Sequence, residues 1–208
     1  MKRLRRSAWI ALAVLALTLA SLRVRIGASG TPAPAQGSPP FGTTLPSIPA
    51  PAIALVDQFG HPQSLAAFRG RVVVLTFIDS RCTETCPLTA QMLQTFQDEI
   101  GPRSAHVQLL AVNANPEATA PADAAAWTAQ HGMSGRWLFL TGPAAQLQPI
   151  WSAYHIGVEV EDGQIHHTDA TYVIDAHGNE REVLPTADQA GLNSESHALA
   201  ASVLPLLR

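Results

Sequence analysis

The apolar residues of this chain fall into short runs separated by turn-forming residues, a pattern typical of alternating strands and helices. The longest run, Val72–Ile78, is almost wholly apolar and rich in β-branched residues. Such a run predicts a central strand that is buried on both faces. Shorter runs predict further strands over residues 53–56, 107–112, 137–140, 172–175 and 182–184.

Helical periodicity marks the segments between and after these strands. Leu88, Met92 and Phe96 recur at helical spacing after the central strand, and Gly101 marks the predicted end of that helix. Similar patterns predict helices over residues 122–131, 143–154 and 195–207. The chain therefore alternates strands with helices, which is the pattern of an α/β layered fold.

A hairpin is predicted late in the chain. Two short runs, residues 158–160 and 164–166, flank the turn signal Glu161-Asp162-Gly163. A pair of thiols follows the central strand, which favours a thioredoxin-like arrangement. The predicted fold is thus α/β and thioredoxin-like, a central mixed sheet flanked by helices, with the hairpin as a late insertion.

The N-terminal region has the pattern of a membrane-targeting segment. Basic residues up to Arg6 precede the uncharged, mostly apolar residues 7–22, and Arg23 and Arg25 follow at once. We predict that residues 1–26 form a membrane anchor or signal whose positive end stays inside. Residues 27–51, rich in Pro, Gly, Ser and Ala, are predicted to form a tether, and residues 52–208 the folded domain.

Charge and composition restrict the classes of binding partner and the cellular compartment that fit this protein. From Gly27 onward the chain has seven arginines, no lysine and sixteen acidic residues, a formal charge of −9. This negative charge argues against nucleic acid as a binding partner and is compatible with a cationic partner. The scarcity of lysine and abundance of alanine are typical of GC-rich bacterial genomes. We therefore expect the domain on the extracytoplasmic (periplasmic or outer) face of a bacterial cell membrane.

The only two cysteines stand directly after the central strand, in Cys82-Thr83-Glu84-Thr85-Cys86-Pro87. Four residues apart, they are predicted to share one face at the start of a helix. Unpaired backbone N–H groups there, together with the neighbouring Arg81, should lower the pKa of the thiols. Three interpretations remain open at this point, namely a structural disulfide, a dithiol–disulfide exchange site and a metal site.

His167 favours the metal site. It lies just before the predicted strand 172–175, and in a thioredoxin-like sheet the segment entering that strand faces the start of the redox helix. Thioredoxins place a cis-proline there, but no proline occurs between Pro149 and Pro185. Two thiolates with one imidazole suit Cu(I), whereas zinc would normally take a fourth ligand. His166 should point to the opposite side and be exposed.

These motifs resemble the Sco/SenC family of membrane-anchored copper proteins over about residues 51–184. The resemblance is carried by the following matches: Thr76-Phe77-Ile78, Cys82, Cys86-Pro87-Leu88-Thr89, Trp137, Leu140-Thr141-Gly142, His167 and Tyr172-Val173-Ile174-Asp175. Glu84 is a loose match to an acidic residue that members commonly carry between the two cysteines. The chain departs from the family after the next strand, where members commonly show Asp-Pro-Glu-x-Asp-Thr-Pro and this chain has Asn113–Pro121 without aspartate.

The resemblance implies a function. Family members bind one copper through two cysteines and one histidine, which by matched position are Cys82, Cys86 and His167. They help to assemble the CuA centre of cytochrome c oxidase by delivering copper or reducing the receiving cysteines. We therefore expect a metallochaperone rather than an enzyme, with copper as Cu(I) and also as Cu(II). Its expected partner is the CuA-bearing subunit or another extracytoplasmic cuproprotein.

One alternative class stays open beside the metallochaperone. Cys82 and Cys86 would also serve as the redox-active pair of a thiol–disulfide oxidoreductase, or of a redox sensor, that acts without metal. Activity that persists without copper, and after loss of His167, would distinguish this alternative from a copper carrier.

Overall fold

A computed structural model of the protein describes residues 42–185 and 191–207. Its strands are β1 (Thr43–Pro49), β2 (Ala54–Val56), β3 (Pro62–Ser64), β4 (Val72–Ile78), β5 (Val107–Asn113), β6 (Trp137–Leu140), β7 (Val158–Glu161), β8 (Gln164–His167), β9 (Ala170–Ile174) and β10 (Asn179–Pro185). Its α-helices are α1 (Thr85–Ile100), α2 (Pro121–Gln130), α3 (Ala144–Ala153) and α4 (Leu192–Val203). Short 3₁₀ turns occupy Leu65–Phe68, Gly101–His106 and Leu204–Leu206.

Six strands form the main sheet, in the order β1, β10, β9, β4, β5, β6. The central strand β4 pairs in parallel with β5 and antiparallel with β9. β6 continues the parallel side, whereas β10 and β1 continue the antiparallel side. The sheet is therefore mixed, as predicted, and every residue of β4 is buried.

Side chains of the sheet alternate between its two faces, and each face has its own hydrophobic core. Val74 and Ile78 point to the face that is covered by α1, α2 and α4, with Leu93 and Phe96 at its centre. Leu75 and Phe77 belong to the opposite face, which α3 covers together with the segment over residues 53–68. Because both faces exclude water, the strands carry the continuous apolar runs visible in the sequence.

The folded region begins earlier than the sequence pattern indicates. β1 lies inside the range assigned to the tether, and it pairs antiparallel with β10 at the edge of the main sheet. Pro46, Pro49 and mostly exposed side chains conceal this strand in the sequence, as is usual for an edge strand. The predicted anchor and the tether up to residue 41 lie outside the described residues. Among the residues that are described, no helix is long and apolar enough to cross a membrane.

The late hairpin is confirmed as a separate two-stranded sheet formed by β7 and β8. Asp162 and Gly163 both have positive φ, at 50° and 76°, as the tight turn between the strands requires. At its base, the backbone of Thr168 donates to the carbonyl of Gly157 at 2.9 Å, and Gly157 donates to Thr168 Oγ1 at 3.0 Å. The hairpin thus carries His167 on the last residue of β8.

Candidate thiol and metal site

Three different elements bring the predicted site residues together. Cys86 is buried in the first turn of α1, and His167 ends β8. Cys82 lies in the loop between β4 and α1, so the expectation that both cysteines sit on one helical face is wrong for Cys82. α1 begins only at Thr85, and Cys82 approaches it from outside.

Cys82 is nevertheless bound to the start of α1. Its Sγ accepts the backbone N–H of Cys86 at 3.4 Å, in the manner of a helix cap. Its own N–H donates to the carbonyl of Asp79 at 3.1 Å. On the other side, Trp127 Nε1 donates to the carbonyl of Cys82 at 3.3 Å. Both cysteines are free thiols in the structure.

The two thiols have opposite pKa shifts. The pKa of Cys82 falls to about 5, chiefly because Cys86 donates its thiol hydrogen to the Cys82 sulfur, and also because backbone N–H groups at the helix start point at it. The pKa of Cys86 rises, because its thiol is the donor in that contact and is buried beside the Cys82 charge. The expected lowering therefore applies to one thiol of the pair.

Arg81 has a different role from the one predicted. Its guanidinium group donates to the carbonyl of Glu117 at 3.4 Å, and it is not among the causes of the pKa shift of Cys82. The lowered pKa thus comes from hydrogen bonds to the sulfur rather than from a neighbouring cation.

The imidazole of His167 is oriented towards Cys86. Its Nε2 lies 3.6 Å from Cys86 Sγ, although the two residues are 81 positions apart in sequence. Its Nδ1 lies 3.1 Å from the carbonyl of Thr168, which can only accept, so Nδ1 carries the hydrogen and Nε2 presents a lone pair. Asp169 Oδ1 also lies 3.7 Å from Nδ1. Metal-binding histidines commonly have this arrangement of a free ring nitrogen opposite a bonded one.

The donor set fits a soft metal ion by its chemistry. Two thiol sulfurs and one imidazole nitrogen are ligands that soft and borderline ions prefer. Cys86 Sγ and His167 Nε2 already lie 3.6 Å apart. Within residues 42–185 and 191–207, however, no three His, Cys, Asp or Glu side chains are already arranged to hold an ion.

A cavity of about 630 Å³ opens beside Cys82 and His167. It lies between the loop after β4, the loop after β5 and the hairpin. Its charged walls include four carboxylates and one guanidinium, contributed by Asp79, Glu84, Glu117, Asp169 and Arg81. His166 is exposed, as predicted, but it lines the same cavity as His167, although the alternation along β8 predicted the opposite side. The thiol site is therefore reachable from solvent through an acidic opening.

Sequence reasoning missed three residues that hold the site. The sequence pattern assigned no role in the site to Trp127, Asp79 or Asn115. Asn115 Nδ2 donates to Asp79 Oδ1 at 2.6 Å. Trp127 is 45 positions from Cys82, and Asn115 is 36 positions from Asp79. No local sequence signal identifies such pairs, because contacts across these distances arise only from the packing of the sheet.

Comparison with known proteins places these features in context. The sequence profile described as SCO1/SenC matches residues 47–198. No curated protein sequence matches the chain significantly.

Solved structures show the same fold. Apo Sco1 from Thermus thermophilus is similar with a TM-score of 0.67 and 22% identity, over 83% of this chain and 99% of that one. Copper-bound ScoI from Arabidopsis thaliana has a TM-score of 0.66 and 16% identity, over 75% and 98%. A SCO1/SenC family lipoprotein from Bacillus anthracis has a TM-score of 0.64 and 19% identity, over 77% and 97%. These likenesses confirm the predicted thioredoxin-like fold.

Proposed function

The chain belongs to the SCO1/SenC family, and on this premise we propose that it is an extracytoplasmic copper-binding chaperone. It assists assembly of the CuA centre of cytochrome c oxidase by delivering copper, by reducing the receiving cysteines, or by both. One observation carries the proposal, the approach of His167 Nε2 to Cys86 Sγ at 3.6 Å beside a second free thiol.

Copper is the cargo in this proposal, and Cys82, Cys86 and His167 are its ligands. Cys82 is ionised at neutral pH and supplies the first thiolate. Cys86 must release its thiol hydrogen before it can bind, so binding releases a proton. His167 offers its Nε2 lone pair while Thr168 holds Nδ1. The acidic cavity favours the approach of a cation and gives the sulfurs of a partner access to the site.

The same pair can reduce a partner's disulfide. The Cys82 thiolate attacks one sulfur of that disulfide, and the other partner sulfur leaves as a thiolate that takes up a proton. Cys86 then loses its proton and attacks Cys82 Sγ, which releases the second partner thiol. Two electrons pass to the partner, and Cys82 and Cys86 become a disulfide. The oxidised pair lacks two of its three copper ligands, so oxidation and copper binding exclude each other.

The location follows from the N-terminal sequence pattern. A basic start, an apolar stretch and a Pro-rich segment precede the described residues. We place the domain on the extracytoplasmic side, tethered to the membrane, where a CuA-bearing subunit or another cuproprotein is the partner. The membrane anchor itself is part of the proposal.

A metal-independent thiol–disulfide oxidoreductase or redox sensor is the second candidate. The opposite pKa shifts of Cys82 and Cys86 favour it, because a half-buried low-pKa thiolate beside a buried thiol is the arrangement of an attacking and a resolving cysteine. His167 would then have no ligand role.

Competitive titration of the reduced full chain with Cu(I) separates the two candidates. One tight equivalent that is lost after oxidation of the cysteines is expected for the copper chaperone. His167→Ala should weaken that binding, and His166→Ala, the exposed neighbour, is the matched control. Absence of binding together with efficient reduction of a disulfide substrate would assign the protein to the oxidoreductase class. Truncation at residue 51 should be avoided, because it removes β1 from the sheet.

A further inference from the structure

Asp79 is a buried carboxylate at the edge of the thiol site. It follows β4 directly, is 5% exposed and lines the same cavity as Cys82 and His167. Its Oδ1 accepts the backbone N–H of Arg81 at 2.8 Å and the side-chain amide of Asn115 at 2.6 Å. Its carbonyl accepts the N–H of Cys82. Asp79 therefore holds the segment leading to Cys82 through its backbone and its side chain.

The orientation of Asn115 is fixed by its other contacts. Its Oδ1 accepts the backbone N–H groups of Glu117 at 2.7 Å and Ala118 at 3.0 Å. Because an N–H group can only donate, this end of the side chain must be the oxygen, and Nδ2 must face Asp79. Asn115 is 1% exposed, so its bond to Asp79 is sheltered from water.

The loop that carries Asn115 is itself held against the sheet. Asn113 Oδ1 accepts the backbone N–H of Asn115 at 2.9 Å. Asn113 Nδ2 donates to the carbonyl of Ala118 at 2.8 Å and to Thr141 Oγ1, just beyond β6, at 3.1 Å. The Asp79–Asn115 bond thus connects the Cys82 segment to a loop anchored on two neighbouring strands.

We propose that Asp79 and Asn115 are positioning residues for Cys82, and that the pair requires one carboxylate and one amide. Two carboxylates would face each other in a buried place, where like charges repel strongly. Asp79 already supplies the carboxylate at this place, so an amide is the complementary side chain at position 115. The inference rests on the proposed function only through the thiol pair, since it requires no copper.

Exchange of the two side chains tests the pairing. Asn115→Asp should lower the rate at which iodoacetamide alkylates Cys82 at pH 7 by about tenfold, because the Cys82 segment loses a charge-assisted hydrogen bond. It should also shift the reduction potential of the Cys82/Cys86 pair. The double variant Asp79→Asn/Asn115→Asp removes the repulsion between two carboxylates, but the atom that replaces Oδ1 cannot both accept the N–H of Arg81 and donate to the new carboxylate. Both quantities should therefore recover in part, and by more than in a variant that restores only the net charge.

A second double variant separates pairing from net charge. Asn115→Asp/Glu117→Gln has the parent's net charge and removes an exposed carboxylate from the same cavity, but it leaves two carboxylates face to face. It should react as slowly as Asn115→Asp alone. Asp98 lies about 18 Å beyond Cys86 along α1. Asp98→Asn therefore controls for the loss of a remote aspartate, and it should change neither the alkylation rate nor the reduction potential.

The outcomes decide the proposal independently of copper binding. The proposal would be overturned if Asn115→Asp were alkylated at the parent's rate. It would also be overturned if adding Glu117→Gln to Asn115→Asp restored the alkylation rate as well as adding Asp79→Asn does. If Asn115→Asp does not fold, the two double variants decide the question. Folding that is regained only in Asp79→Asn/Asn115→Asp supports the pairing. Folding that is regained in neither double variant, or in both, opposes it. Absence of copper binding with a positive exchange result would refute the chaperone function but leave the positioning role standing.

Discussion

The two halves of the candidate site are held in very different ways. The thiols sit between β4 and α1, where Cys86 is buried and Cys82 is half-buried. Asn115 holds the Cys82 segment through its hydrogen bond to Asp79, and Trp127 donates to the carbonyl of Cys82. His167 comes from a hairpin whose strands pair only with each other. The thiol pair is therefore held by the main sheet and its helices, whereas the imidazole comes from a separate two-stranded hairpin.

This difference has a functional consequence. Changes in the hairpin should alter the imidazole ligand while leaving the thiol pair reactive. Changes beside the thiols should alter both copper binding and disulfide exchange.

Cys82→Ser should abolish both activities. It removes the thiolate, and the remaining Cys86 thiol has a raised pKa and is buried. Reduction of a disulfide substrate at pH 7 should fall by about 1,000-fold or more, because a serine hydroxyl does not replace a thiolate. Cu(I) competition should show loss of tight binding. Thr83→Ser, an exposed neighbour, serves as the control, and exchange activity surviving in Cys82→Ser would show that Cys86 is the attacking thiol.

The reactivity of Cys82 should follow its lowered pKa. Alkylation should be nearly constant above about pH 6 and fall about tenfold per unit below pH 5, because only the thiolate reacts. In unfolded protein the midpoint should move to near 9.0, the ordinary value for cysteine. Since folding depresses this pKa, ionisation of Cys82 stabilises the fold fully above pH 9, and that contribution is lost as pH falls towards 5. A midpoint near 9 in the folded protein would contradict the hydrogen-bonded site.

His167→Ala should separate the two activities. Cu(I) affinity should fall by roughly 100-fold or more, because loss of a proposed ligand should cost at least as much as loss of an outer partner of a ligand. The rate of disulfide exchange should change by less than about threefold, since Cys82 owes its lowered pKa to Cys86 and the helix start. His166→Ala measures any general effect on the hairpin. An equal loss of both activities in His167→Ala would mean that the hairpin also supports the thiols.

Thr168→Val should have the smallest effect. The substitution keeps the shape of the side chain but removes the hydroxyl that accepts the N–H of Gly157 at the hairpin base. We expect a two- to fivefold loss of Cu(I) affinity, about 1 kcal/mol or less, and faster amide hydrogen exchange in β7 and β8. Protection of β4 should not change. If exchange in β4 also accelerates, the hairpin is not the independent element that its pairing indicates.

The elements that the sequence predicts well are those with strong local patterns. Val72–Ile78 and Trp137–Leu140 have the predicted bounds, because a strand buried on both faces needs an unbroken apolar run. The hairpin is also found where Asp162 and Gly163 indicate a tight turn. β1 is missed because an exposed edge strand needs neither an apolar run nor the absence of proline.

Residue type and local spacing were enough to indicate the buried strands, the helices, the thiol pair and the candidate imidazole, although not the edge strand β1. Tertiary structure alone decided how these groups act. It placed Cys82 outside the helix with its sulfur on the backbone of Cys86, which divides the thiols into one of low and one of high pKa. It also set Asn115 against Asp79 and His167 against Cys86. Residues far apart in sequence meet only where the packing of the sheet and the hairpin brings their backbones together.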